Sequence, residues 1–315
     1  MNVLVVGCGS IGRRHIANLI SLDDIDDIFV YSRVDNVSGI FNNPRVKLVK
    51  NLNNIDLGFA IIANETYKHM DTAIALAQKG VNLFIEKPLS GNLKRINELR
   101  RVAGKKKIKI FMGYNLRFLG CIKYIKEQLG KGSIGNLYFA KIEAGQYLPD
   151  WRKNIGYKDC YSASKRKGGG VSLDLSHEID YMRYLFGEPV SFKLVKAKVS
   201  ALEIDSDDIF EAIYIFNNNF ICSVHLDYLQ KNKKRQISIV GSKGLLECDF
   251  VSKRLRIRKD NGQMMVKDKV KDFNIDKTYK DEVKSFIDAL INDRNAEVTL
   301  EDGVRVLELL GEKND

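Results

Sequence analysis

The stretch Asn2-Val3-Leu4-Val5-Val6-Gly7-Cys8-Gly9-Ser10-Ile11-Gly12 decides the reading of the first third of the chain. A short apolar run passes straight into a G-x-G-x-x-G loop, and residues 11–22 beyond it carry helical periodicity. Alone, that glycine spacing is a weak signal. Between a strand and a helix, at the head of an alternating series, it has the context that a dinucleotide-binding turn requires. Gly7 permits the tight turn, Gly9 lets backbone approach a pyrophosphate, and Gly12 lets helix and strand pack closely. Ser10 and Ile11 open the helix, whose free N–H groups and partial positive charge suit phosphate.

Working outward, strands are expected over 2–6, 28–31, 46–49, 58–63, 81–85 and 109–112, with helices over 67–79 and 93–106. Gly80 is a C-cap signal for the first of these two helices. Strands alternating with helices predict a parallel sheet with right-handed crossovers. Near residues 113–120 the pattern changes. A helix over 122–129, an alternating strand over 137–144 and one helix over 172–186 are followed by six strands read as successive antiparallel partners, 192–202, 209–216, 220–229, 236–240, 245–249 and 255–259. Asn217-Asn218-Asn219 and Gly241-Ser242-Lys243-Gly244 supply turns. Helices over 279–292 and 300–310 close the chain. The fold class is therefore α/β: a doubly wound Rossmann domain over 1–116, then an α+β substrate and oligomerisation domain over 117–315. The second domain is built on a large, mostly antiparallel, open-faced sheet, with the 300–310 helix free to pack back on the first domain.

The chain has 315 residues, 51 basic and 40 acidic, for a net charge of +11. That length fits two domains at roughly 150 residues each. No apolar run approaches the roughly 20 residues of a membrane span, and the N-terminal stretch lacks a charged n-region and a long h-region. Five scattered cysteines form no C-x-x-C pair, which fits reduced thiols and a cytoplasmic location. The basic runs at 105–107, 164–167 and 231–235 are short and dispersed. A solvated, lysine-rich surface accounts for them better than an anion site, and no nucleic-acid-binding motif accompanies them.

An acidic residue about 20 positions past the glycines would bind the ribose 2′-hydroxyl of NAD. Here Ser32 stands there and Arg33 follows. A hydroxyl and a cation suit a 2′-phosphate, which favours NADP over NAD; the alternative is that Arg33 is a solvated strand-end residue. Arg13 and Arg14 either contact phosphate or lie on the outer helix face. Glu86-Lys87-Pro88 directly follows the fifth strand, where ligands of open α/β sheets bind, and Pro88 suits a cis bond. The second chemical signature is Gly168-Gly169-Gly170-Val171-Ser172-Leu173-Asp174-Leu175-Ser176-His177-Glu178-Ile179-Asp180. On one helix Asp174 and His177, at i and i+3, would share a face, and His is the side chain best suited to move protons near neutral pH. No metal is expected, because no ligand cluster with suitable spacing accompanies it. His15, His69 and His225 read as lining or surface residues.

Together these motifs, with Ile61-Ile62-Ala63 followed by His69, and Gly113-Tyr114-Asn115-Leu116-Arg117-Phe118, resemble the glucose–fructose oxidoreductase, inositol dehydrogenase and MocA-like family of NAD(P)-dependent oxidoreductases. The 241–244 turn is similar to the family's hairpin. The likeness covers nearly the whole chain. It implies that Lys87 and His177 serve the reacting carbon, with Asp174 nearby. It implies that Ala63, Asn64, His69, Glu86, Lys87 and Asn115 join the glycine loop in holding the cofactor, and that Tyr114, Arg117, Asp174 and His177 face substrate. The chain departs from the family at Asn64-Glu65, where Thr-Pro is usual, and in the three-residue spacing of Asp174 and His177, where four is usual. Tyr147-Leu148-Pro149-Asp150-Trp151-Arg152 resembles members linked to bacterial surface-sugar biosynthesis. Trp151 and Arg152 suit a sugar and an anion, or Trp151 packs as a loop anchor. The expected reaction is reversible alcohol–ketone oxidoreduction on a sugar, cyclitol or nucleotide-sugar ring. The alternatives are a redox-assisted lyase, epimerase or hydrolase and a dinucleotide-sensing regulator of the same fold. Residues Ile209, Ala212, Tyr214, Phe216, Ile221, Val224 and Leu226 are read as an apolar patch on the open face of the sheet, which predicts a homo-oligomer, dimer or tetramer.

Overall fold

The computed structural model describes residues 1–32, 42–51, 55–151, 156–267 and 270–313. The chain divides into two compact units. In the first, β1 (Val3–Val6), β2 (Ile28–Tyr31), β3 (Val46–Leu48), β4 (Phe59–Ile62), β5 (Asn82–Glu86) and β6 (Ile110–Gly113) pair in parallel in the order β3-β2-β1-β4-β5-β6. All four residues of β1 and of β4 are buried. Continuous apolar runs of this kind belong to parallel strands covered on both faces. Helices α1 (Ser10–Ile20), α2 (Thr66–Gln78) and α3 (Ile96–Lys106) alternate with the strands. The strand order reverses between β1 and β4, so the carboxyl ends of these strands mark the switch point where doubly wound sheets bind ligands.

The second unit holds α4 (Gly120–Gly130), β7 (Leu137–Gly145), α5 (Val171–Asp174), α6 (His177–Phe186), β8 (Ser191–Ala197), β9 (Ile209–Ile215), β10 (Ile221–Asp227), β11 (Lys234–Gly241), β12 (Gly244–Asp249), β13 (Arg254–Lys259) and β14 (Met264–Lys267). Its eight strands run in the order β14-β13-β12-β11-β7-β10-β9-β8. Every pairing is antiparallel except β7 with β10. That parallel pair arises because β7 enters the sheet centre before α5 and α6, and the later strands build outward on both of its sides.

Three elements differ from the sequence reading. The helix expected over 172–186 is two helices, broken at Leu175 (φ −100°, ψ 29°). The strand expected over 192–202 stops at Ala197, because the buried Asp208 carboxylate accepts the amide N–H groups of Val199 and Ser200 at 2.8 and 3.0 Å. These bonds draw the backbone away from the ladder. Strand β14 was not expected: Met264, Met265 and Val266 are all exposed on an edge and show no alternation.

The two faces of the second sheet also correct an expectation. Ala212, Tyr214, Phe216, Val224 and Leu226 are buried, not on the open face. The pleat turns Glu211, Ile213 and Ile215 outward on β9. Cross-strand register joins Ile215 to Ile221 and Ile221 to Phe139, so the exposed apolar row runs through these three residues.

Helices α7 (Ile275–Ile291) and α8 (Leu300–Leu309) return the chain: Asp276–Glu308 belongs to the first unit, so that unit gains two helices where only 300–310 was expected to return. The physical reason is aromatic. Phe286 of α7 packs on Phe59 and Phe111 at 5.3 and 5.5 Å between ring centroids. A polar seam adds to it, with the Met112 N–H donating to Val298 O at 3.0 Å. All five cysteines are free, buried thiols. Among the described residues, no helix is long and apolar enough to cross a membrane.

Candidate functional site

In the first unit the turn from β1 to α1 spans only Gly7, Cys8 and Gly9. A Cβ on Gly12 would lie 2.1 Å from Gly7 O, so the close approach of helix to loop requires glycine there. Gly7 itself has φ +99°. Gly9 is different. Its φ is −73°, and among the described residues a Cβ there would meet nothing within 4 Å. The fold does not demand glycine at this position, but a ligand lying against the backbone would. Gly9 is also the N-cap of α1, with no side-chain capping bond and no acidic residue in the first turn. The opening N–H groups of α1, at Ser10 and Ile11, thus face no competing anion from the helix itself. These features fit a pyrophosphate. Arg13 Nε donates to Cys8 O at 3.2 Å and braces the loop. Arg14 pairs with Asp276 over the Tyr279 ring. Ser32 directly follows β2 and is half-buried; Arg33 lies outside the described residues.

The carboxyl ends of β4 and β5 carry the next group. Ala63 continues from β4, its N–H donating to Val6 O at 2.8 Å. Asn64 Nδ2 donates to Thr72 Oγ1 at 2.9 Å. His69 is buried rather than on the surface, with ring nitrogens 2.9 Å from Pro88 O and 3.0 Å from Asn64 O. Burial outweighs these carbonyls and the Glu86 charge and pulls its pKa below the ordinary value. A neutral ring has a single N–H, so His69 donates to one of these carbonyls and ties α2 to the loop after β4 or to the loop after β5. The Lys87–Pro88 peptide is cis. Lys87 is partly exposed, whereas Glu86 is buried beneath it. Tyr114 is fully enclosed, and Asn115 Nδ2 donates to Thr278 Oγ1 at 2.7 Å. His15 is fully buried instead of lining or exposed, its Nε2 2.6 Å from Glu86 Oε1.

In the second unit, His177 opens α6 and Asp174 closes α5. They therefore do not share the face of one continuous helix. Both are buried. The Tyr228 hydroxyl donates to Asp174 Oδ2 at 2.6 Å. Burial, then the Asp174 charge, pushes the Tyr228 phenol well above its ordinary pKa and keeps it a donor. The Trp151 ring meets Tyr228 edge-on at 5.2 Å, and Trp151 Nε1 donates to Gln146 O at 3.0 Å. Trp151, Tyr228 and Asp174 form one connected chain, whereas Arg152 lies outside the described residues. Arg117 is buried, and its guanidinium meets Asp180 through three contacts of 2.7 to 3.1 Å. Glu178 is held in the same manner by Arg235, at 2.6 and 3.1 Å.

The matching family models are described as an oxidoreductase family's NAD-binding Rossmann fold, over residues 1–114, and its C-terminal alpha/beta domain, over 126–311. This chain belongs to the Gfo/Idh/MocA oxidoreductase family. The family expected from the sequence motifs is the family found, and the protein is an oxidoreductase with an NAD-binding domain. Myo-inositol 2-dehydrogenase of Thermotoga maritima is 26% identical over 337 residues, covering 99% of this chain and 94% of its own. Levoglucosan dehydrogenase, solved with NADH and levoglucosan, superposes with a TM-score of 0.86 at 17% identity, covering 99% of this chain and 95% of its own. UDP-N-acetylglucosamine 3-dehydrogenase of Acidithiobacillus ferrooxidans gives 0.78 at 19% identity, with 98% and 95% covered. These two structures share this family's fold.

Two residues of interest escaped the sequence reading. Tyr228 sits at the end of an ordinary alternating strand and carries no signal. Glu282 does carry one: with Thr278 and Phe286 it falls at four-residue spacing on the buried stripe of α7, where an acid is out of place.

Proposed function

We propose that this protein transfers a hydride between a nicotinamide dinucleotide and a ring hydroxyl or ketone of a sugar, cyclitol or nucleotide sugar. The observation that carries the reading is Gly9: a glycine with no steric reason of its own, capping a helix whose N-terminus has been left free for an anion. Gly7, Gly9, Ser10, Ile11 and Gly12 hold the pyrophosphate, Ser32 and Arg33 the adenosine ribose, and Ala63, Asn64, Glu86 and Asn115 the nicotinamide end. When bound, the nicotinamide supplies the hydride acceptor. His177 takes the proton of the substrate hydroxyl as general base. Lys87 hydrogen-bonds the same oxygen and stabilises charge as the carbonyl forms. Asp174, fixed by Tyr228, and Trp151 orient the ring. In reduction each proton and the hydride move in the opposite sense.

The relatives named for inositol, levoglucosan and UDP-N-acetylglucosamine oxidation support a polyol or sugar ring as substrate. A second reading is favoured by another relative, the 2,7-anhydro-N-acetylneuraminate hydratase of Mediterraneibacter gnavus, 23% identical over 62% of this chain. There the same residues would serve a reaction without net consumption of cofactor.

NADH and NADPH titrations followed by nicotinamide fluorescence test the cofactor assignment. Binding near ~1 μM, about −8.2 kcal/mol, with NADPH preferred, supports Ser32 and Arg33 as a 2′-phosphate site. Equal affinities remove that preference, and no binding of either overturns the dehydrogenase reading. On a sugar oxidised by the wild type, Lys87→Ala and His177→Ala should each lower turnover at least ~100-fold. The exposed row of Ile215, Ile221 and Phe139 supports self-association through the open sheet face. Sedimentation should then show a smaller species for Ile221→Glu than for the wild type, and a monomeric wild type would end that assignment.

A further inference from the structure

His15 of α1, Glu86 of β5 and Glu282 of α7 come from distant parts of the chain and close into one buried cluster of the first unit. One ligand atom from each lies within 4.8 Å of the others. His15 and Glu282 are fully buried, and Glu86 is 6% exposed. His15 Nε2 and Glu86 Oε1 are 2.6 Å apart, while Glu86 Oε2 accepts the Lys87 amide N–H at 3.2 Å. Both Glu282 oxygens and His15 Nδ1 have no hydrogen-bond partner among the described residues. The neighbouring walls are aromatic, with Phe84 and Tyr279 set edge-on to His15 at 5.2 and 6.2 Å.

The titratable groups meeting Glu282 are thus His15 from α1 and Glu86 from β5, and the Glu86 charge also acts on neutral His69 of α2. The charges flanking Glu282 on its own helix are engaged elsewhere. Lys277 pairs with Asp281, Lys280 reaches Ser21 O, and Arg14 of α1 pairs with Asp276. Ionising both carboxylates this close in a buried site is costly. A cation would be one remedy, but 2.6 Å is a hydrogen-bond separation. Two ligands at about 2.0–2.1 Å in tetrahedral array around one ion stand roughly 3.4 Å apart. A proton between His15 Nε2 and Glu86 Oε1, with Glu282 neutral beside the pair, fits the geometry as it stands.

We propose that His15, Glu86 and Glu282 form one buried triad, with Glu282 a neutral acid beside the hydrogen-bonded His15–Glu86 pair and Glu86 the single carboxylate, and that this triad positions Lys87. Burial and the Glu86 charge both push the Glu282 carboxyl well above the usual range, in keeping with the protonated form. Glu86 holds the Lys87 amide with one oxygen and is itself held by His15 through the other. A second negative charge at Glu282 would repel Glu86 and loosen the segment from which Lys87 projects. Only the catalytic meaning of that position rests on the dehydrogenase reading; the triad itself does not.

The test uses the intact, ligand-free protein. Infrared difference spectra between wild type and Glu282→Gln at neutral pH should show the C=O stretch of a protonated carboxyl group in the wild type alone. The rate at which an amine-directed reagent labels Lys87, read by peptide mass spectrometry against exposed Lys193, should match the wild type in Glu282→Gln, which keeps shape and neutrality. It should change at least threefold in Glu86→Gln. If Glu86→Gln fails to fold, His15→Leu removes the same contact from the other side and should show the same change. Absence of the carboxyl band, unchanged Lys87 labelling in the Glu86 and His15 variants, or one equivalent of metal on elemental analysis would each overturn the proposal. None of these readouts needs turnover or cofactor, so failure here leaves the NADH titration to decide the dehydrogenase reading separately.

Discussion

Replacing Gly9 by Ala asks whether that glycine serves the fold or a ligand. Its φ of −73° is open to any residue, and the added methyl meets nothing within 4 Å among the described residues. Stability should therefore stay within about ±0.5 kcal/mol, or rise by about 0.4–1 kcal/mol as the unfolded chain loses freedom. Gly12→Ala is the contrast. There the methyl would sit 2.1 Å from Gly7 O and 2.9 Å from its carbonyl carbon, both backbone atoms. Over-packing of this kind costs roughly 1–3 kcal/mol, a fall of about 2–12 °C in Tm for a domain of this size. With dinucleotide present the cost at Gly9 moves from folding to binding. A methyl between backbone and pyrophosphate, at the same roughly 1–3 kcal/mol, weakens NADH about 5- to 150-fold. Thermal unfolding by circular dichroism and NADH fluorescence titration at one salt concentration read the two effects independently. Gly9→Ala that binds NADH like the wild type would refute the placement of the pyrophosphate. A Gly9→Ala protein that melts as early as Gly12→Ala would refute the claim that the fold does not need this glycine.

Arg117→Ala leaves Asp180 buried without its guanidinium and should cost about 3–5 kcal/mol in urea unfolding; a stable variant with only a raised KM would instead make Arg117 a substrate contact. Tyr228→Phe removes one hydrogen bond to a charged acceptor, about 1.5–3 kcal/mol, and should lower turnover roughly ten- to a hundred-fold with unchanged NADH affinity; equal turnover would separate Tyr228 and Asp174 from the chemistry. On the open sheet face, hydrogen bonds to Asp227 and Glu211 raise His225 to about 9 against an ordinary 6.5. Its folded pKa exceeds its unfolded one, so its contribution to stability is full below about pH 6.5 and is lost as pH rises through about 9. Tm measured across that window should fall in the wild type and fall less in His225→Asn; parallel curves would show that the ring is not held protonated.

The doubly wound half of the fold was legible because its signals are local. Buried β1 and β4 are unbroken apolar runs, and Gly7, Gly9 and Gly12 punctuate a strand–helix joint that few other structures need. The second half was legible only in outline. Periodicity shows that β9 alternates but not which side is covered, so Ala212 and Tyr214 were placed on the open face although helices bury them. Nothing in an apolar pattern tells a parallel neighbour from an antiparallel one, which is why the β7–β10 pairing was missed. The break between Asp174 and His177 depends on a single backbone geometry at Leu175 within a run whose composition suits one helix. At the candidate site, residue types were readable and partners were not. Arg117 reads as a substrate-facing side chain, yet its fork is engaged by Asp180, 63 residues away in sequence. Glu282 was readable in principle as an acid on an apolar stripe, but its companions His15 and Glu86 are joined to it only by the return of α7.

That return has a consequence for biosynthesis. The dinucleotide-binding unit comprises Met1–Asn115 together with Asp276–Glu308, and the whole second unit is made between the two pieces. A nascent chain therefore exposes Phe59 and Phe111 without their cover, Phe286, until α7 has left the ribosome. At 5–20 residues per second the wait from residue 115 to residue 308 lasts roughly ten to forty seconds. Throughout it, the inserted unit can form as a folding unit of its own while the first six strands stay incomplete, a client state for chaperones. A stop codon after residue 116 would release not a small dinucleotide-binding domain but a half-built one, with an aromatic floor and no roof.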